Sequence, residues 1–212
     1  MAGQGSSPVV LGSLSMRTPD TIGDVYLTKD YRITSFWLYE DDKAAGGFAS
    51  KLDLQRNEFD ILMGAGAGVK VLPGSKVKSV TMIDSVMRIP QYFVNGQEYK
   101  NEDGVPYVGF FQILSEGKLT LLKLTKVVLI RADQSLSHNT GRTDNRFIKK
   151  TTLYVAQGVV ADEAPGRKGI LKLMESHKED VNKFAKVNEI DFGNEHQLTA
   201  LFDYYNSLVS KP

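Results

Sequence analysis

The sequence predicts an α+β protein: a mostly antiparallel β body, barrel or sandwich, with a short C-terminal helical unit. Three observations predict it. Runs rich in β-branched and aromatic residues follow one another from residue 8 to 160, punctuated by Gly, Asn and Asp turns. No stretch of helical period separates them, which argues against βαβ units and a doubly wound parallel sheet. From Arg167 to Lys211 the apolar spacing changes to three and four, as in helices.

Residues 1–7 are small and polar and predict a flexible start. Asp24 to Thr28 and Ile33 to Glu40 are short β-type runs, the second carrying Phe36, Trp37 and Tyr39. Phe48 to Leu54 and Val77 to Ile83 alternate with period two, as pleated strands do. Phe59 to Met63 is a further apolar run, and Val69, Val71 and Leu72 precede a Pro73-Gly74 turn signal. Gln91 to Val94 leads into Asn95-Gly96, the strongest short hairpin signal in the chain. Gly109 to Leu114 and Leu119 to Ile130 flank Ser115-Glu116-Gly117-Lys118, a second hairpin. Phe147 to Ala156 is the last long strand, and Asp162 to Lys168 reads as a hinge to the helices.

A first helical segment runs from Ile170 to Ser176. Ser176 and Glu179 have the spacing of a capping box, in which each side chain reaches the other's amide. Val181, Phe184, Ala185 and Asn188 then form one face, and Gly193 suits a left-handed stop. Asn194 caps a last helix with Gln197 three residues on, and Leu198, Leu201, Phe202, Tyr205 and Leu208 share one stripe. Helices this short do not persist alone, so they must dock on the strands. The expected organisation is a β-rich body over residues 1–166 and a helical unit over residues 167–212 packed on it.

The chain has 212 residues, with 26 basic and 25 acidic side chains, a net charge of +1. That balance argues against a nucleic-acid partner. No apolar run reaches the length of a membrane-crossing helix. With no cysteine, zinc thiolates, a catalytic thiol and disulfides are all excluded. No apolar segment of signal-peptide type opens the chain. Two origins fit: cytoplasmic residence, or export with the signal removed and a start Met added.

Gly64 to Gly68 invites a phosphate-loop reading, but β-type Val69 and Val71 follow where that motif needs a helix, so a hairpin turn is expected. His138, His177 and His196 lack ligand spacing, so no metal is expected. A Ser-His-Asp triad needs no sequence proximity, but no G-x-S-x-G elbow is present. Asp41-Asp42 and Glu102-Asp103 read as solvated turn charges. No residue is assigned to catalysis and none to a cofactor. Two places suit a partner. Trp37 and Tyr39 lie on a strand with one face to spare for stacking on a sugar or peptide. The polar connection from Ala132 to Asn145 contains Arg142 and is flanked by Arg131 and Arg146, which can pair with carboxylates or phosphates; a connection of that length is expected to be mobile.

Several segments stand out together: Gly23-Asp24-Val25-Tyr26-Leu27, Leu52 to Phe59, Phe110 to Leu122 with Ser115 to Leu119, Ile170 to Met174, Val181 to Asn188, and Leu198 to Leu208 with Tyr204-Tyr205-Asn206-Ser207. In these the chain resembles a group of small uncharacterised exported proteins of Bacteroidetes bacteria. The likeness covers most of residues 20–210 and departs at the polar Ser135 to Arg146 loop. It implies export to the periplasm or outer surface and transfers no catalytic residue. The expectation is a non-enzymatic cell-envelope module that binds a protein, glycan or surface component. The alternatives are a hydrolase with a loop-built site and a barrel carrying a small apolar ligand.

Overall fold

The computed structural model describes residues 23–40, 44–64, 66–84, 88–130 and 146–210. Among them are ten β-strands followed by three α-helices, and the paired strands run antiparallel. The predicted class, an antiparallel β body with a short C-terminal helical unit, is the one observed. Backbone contacts divide the chain into two compact units: residues 1–90 with 129–147, and residues 91–128 with 148–212.

The first unit contains β1 (Arg32–Leu38), β2 (Ala44–Asp53), β3 (Glu58–Leu62), β4 (Val69–Pro73) and β5 (Val77–Ile83), in the order β5-β1-β2-β3-β4. Alternation in β1 sends Thr34, Phe36 and Leu38 inward and leaves Ile33 and Trp37 outside. Phe36 meets Phe59 edge to face at 5.0 Å, and Leu52, Ile61, Leu72, Val80 and Met82 are buried. The buried Ser50 hydroxyl donates to Thr34 Oγ1 at 2.7 Å, so neither polar atom is orphaned. Asp53 Oδ1 accepts from the Gln55 and Arg56 amides and closes the β2–β3 turn. The glycine-rich segment is the expected turn: the Met63 amide donates to the Gly68 carbonyl, and β4 follows.

The second unit contains β6 (Pro90–Asn95), β7 (Phe110–Ser115), β10 (Val160–Glu163) and most of β8 (Thr120–Ile130) and β9 (Arg146–Gln157), in the order β6-β7-β8-β9-β10. Helices α1 (Arg167–Leu173), α2 (Lys178–Val187) and α3 (Glu195–Val209) follow. Ile170, Met174, Val181, Ala185, Leu198, Leu201, Phe202 and Tyr205 pack with Leu119, Leu121 and Val155 from the strands. Docking of the helices on strands is thus observed. On the other face, Phe111, Leu122, Leu124, Tyr154 and Ala156 form a core with Tyr99 and Tyr107. Burial raises the phenol pKa of Tyr99, Tyr107 and Tyr154, and the Tyr107 hydroxyl donates to the Ala161 carbonyl at 2.6 Å.

The two stretches that carried the resemblance at Ser115 to Leu119 and at Asn206 meet here. The Asn206 amide nitrogen donates to the Ser115 hydroxyl and to the Glu116 and Leu119 carbonyls, while its oxygen accepts from the Leu119 amide. A Cβ on Gly117 would collide with Asn206, which explains the glycine.

Four local expectations are corrected. Asn95-Gly96 is not a tight hairpin: that turn needs positive φ at both residues, whereas Asn95 has φ −60° and Gly96 is not left-handed. Asn95 instead caps a 3-10 turn, Gly96–Glu98, by accepting from the Gln97 amide, and the chain reaches β7 only at Phe110. Asp162 and Glu163 are no hinge, since they pair with Val155 and Tyr154. The Ser176 capping box does not form. A 3-10 turn, Glu175–His177, precedes α2, so His177 takes the N-cap position and the Ser176 hydroxyl lies against His177 Nδ1 and the Tyr205 hydroxyl. Gly193 is not the left-handed stop of α2. Glu189 is, with φ 49°, and the Ile190 amide donates to the Ala185 carbonyl in a Schellman closure. Asn194 does cap α3, accepting from the Gln197 amide at 3.2 Å.

Candidate functional site

The outward face of the first unit is where the sequence leaves apolar side chains in water. Four strand registers line up one residue from each strand: Ile83 opposite Ile33, Ile33 opposite Ala49, Ala49 opposite Leu62, and Leu62 opposite Val69. Directly opposed residues point to the same side, so these five make one apolar row across β5, β1, β2, β3 and β4. Ile33 is 58% exposed, Leu62 47% and Ile83 36%, while Ala49 and Val69 are half-buried. At roughly 4.8 Å per strand the row is about 19 Å long.

Relief is uneven along it. Ala49 lies in an open groove of about 920 Å³ lined by Gly47, Phe48, Leu62, Met63, Gly64, Gly66 and Gly68. The groove exists because β2 is irregular: pairing with β1 shifts between Thr34 and Phe36, Gly47 adopts φ +83°, and Gly46 lies so near Ser35 Oγ that a Cβ would collide with it. Leu62 rises beside this hollow.

The borders are polar. Two residues further along the same face, Lys51 stands opposite Asp60. Lys51 Nζ lies 4.5 Å from the Tyr31 ring centre and 5.4 Å from that of Tyr26. The Tyr26 hydroxyl donates to Asp60 Oδ2 at 2.6 Å. Toward the other end of β1, Trp37 has the parity of Ile33 and is 40% exposed, opposite Ala44 and Ser79. Tyr39, just past β1, is 41% exposed, and its amide donates to the Lys76 carbonyl. Of the predicted partner residues, then, Trp37 and Tyr39 are at the surface of the first unit. Arg146 is an exposed residue at the start of β9. Arg131, Arg142 and the Ala132 to Asn145 connection lie outside the described residues.

Chemically the row offers dispersion and desolvation and nothing that titrates. Among the described residues no group of three or more His, Asp or Glu is placed to hold a metal ion, and no helix is long and apolar enough to cross a membrane. Comparison with family models, curated proteins and solved structures gives no match.

Sequence reasoning singled out Trp37 and passed over Ile33, Ala49, Leu62, Val69 and Ile83. The signal available was parity: Ile33 and Trp37 share one face of β1. That Ile83, Ala49, Leu62 and Val69 fall level with Ile33 depends on register, which no single strand encodes.

Proposed function

We propose that the protein is a non-enzymatic binding or accessory module of the bacterial cell envelope, engaging a protein through the outward face of its first unit. The observation that carries this reading is the apolar row from Ile83 to Val69. Three large side chains left in water in one line mark an interaction surface more than a catalytic one. Trp37 and Tyr39 supply aromatic anchors at the same surface, of the type interfaces favour. The envelope assignment rests on the resemblance to exported Bacteroidetes proteins.

The test is capture from a solubilised envelope fraction, with quantification of co-purifying proteins. The wild-type chain should retain a defined protein that Ile33→Asp with Leu62→Asp loses, at unchanged melting temperature. Retention by both forms would remove the row from the function. Turnover of an ester, peptide or glycoside panel, lost on substitution of one residue, would favour the hydrolase alternative.

A further inference from the structure

The row has a property that a merely greasy face lacks: a hollow and a projection side by side. Ala49 on β2 and Leu62, directly opposite it on β3, both line the groove, and the longer Leu62 side chain is 47% exposed at its edge. A two-fold axis lying in the face, parallel to the strands and between β2 and β3, exchanges the two positions. Leu62 of one copy then enters the hollow at Ala49 of the other, and the reverse contact forms at the same time. This reciprocity is what an isologous interface requires. We infer that the row is a self-association surface, through which two copies of this chain pack their first units face to face.

The same axis sets the rest of the contact. Ile33, next to Ala49, comes over Val69 of the other copy, next to Leu62. The strands of the two sheets run in line, the aligned arrangement of sheet packing at about 10 Å separation. Glycines at 47, 64, 66 and 68 keep the hollow free of side chains that would bar the incoming Leu62. A net charge of +1 gives two copies little reason to repel.

Size fixes the strength. A row about 19 Å long and one residue deep on each strand is much smaller than the roughly 800 Å² per partner of a stable interface. The association is therefore weak and reversible, populated at high concentration or where a surface concentrates the chain.

This inference rests on the reading of the row as a protein-binding face, and the experiment separates the two. Purified protein is followed by sedimentation velocity from about 10 µM to about 1 mM, the range a contact this small requires. The weight-average mass should rise toward a dimer. Ala49→Asp and Leu62→Lys should each remain monomeric throughout. Their equimolar mixture should associate again, because the mixed dimer keeps one native Leu62–Ala49 contact and gains an opposite-charge pair at the other. Should Ala49→Asp melt early, Ile33→Lys mixed with Val69→Asp tests the same axis. A wild-type chain that stays monomeric at about 1 mM, or mixed variants that fail to recover, would overturn the inference. If the envelope protein is still captured in that case, self-association fails alone; if capture is also insensitive to the row, the binding reading fails with it.

Discussion

The two units treat the faces of their sheets differently. In the second, each face carries a core: helices lie on Leu119, Leu121 and Val155, and the Tyr99–Tyr107 segment packs with Phe111, Leu122 and Tyr154. In the first, one face forms a core around Phe36 and Phe59 while the other leaves Ile33, Leu62 and Ile83 in water. Similar β-rich text therefore serves two ends. The second unit also exposes Tyr92, Val105, Val108 and Val159, but in the first unit exposed apolar residues fall level with one another on neighbouring strands. Substitutions at the two sets of residues should separate stability from association.

The largest effect is expected at Leu201, which is fully buried on α3. Leu201→Ala should lower unfolding free energy by about 2–5 kcal/mol, measured by urea denaturation of the full chain. A loss below about 1 kcal/mol would mean that α3 is peripheral to its unit. Next comes Asn206→Ala, which leaves the Leu119 amide and carbonyl without their side-chain partner in a buried position. The expected cost is about 1–3 kcal/mol, and amide exchange at Leu119 should accelerate.

Much of this was legible in advance, and the reasons differ by element. The α3 stripe of Leu198, Leu201, Phe202 and Tyr205 is buried as its period predicts, and Asn194 caps as its type predicts. Both signals lie within one turn of chain. The Asn206 clamp was not legible, because its partners lie 87 to 91 residues away and an Asn on a helix ordinarily reads as surface. Ser176 and Glu179 had the right spacing for a box, but the helix starts one residue late, after a 3-10 turn. Glu189 hid the end of α2, since a left-handed Glu is uncommon and Gly193 offered a cheaper stop. The binding row needed four registers at once, whereas Trp37 announced itself by type.

A smaller effect distinguishes the caps. Asn194→Ala should cost about 1 kcal/mol through loss of the oxygen that accepts from the Gln197 amide. Ser176→Ala, at a residue that caps nothing, should stay within about 0.5 kcal/mol. Equal losses in thermal melts would restore Ser176 as a helix start. The smallest effect belongs to the first unit's open face: Ile33→Ser should change stability by no more than about 0.5 kcal/mol. A drop comparable to that of Leu201→Ala would show that Ile33 is covered in solution and would erase the contrast between the units.

The interleaving of the units also bears on how the chain leaves the ribosome. Strands β1 to β5 are complete by Ile83, whereas the second unit waits for α3, Glu195–Val209, to cover its strands. At elongation rates of about 5–20 residues/s, the roughly 125 residues from Ile83 to Val209 take about 6–25 s. Late in that interval, once Val155 has been made, the nascent chain displays its apolar row together with Leu121 and Val155, which α3 has yet to shelter. Chaperone demand should therefore peak late in synthesis, and a stall before Asn206 should yield a nascent species more prone to aggregate than one halted just after β5.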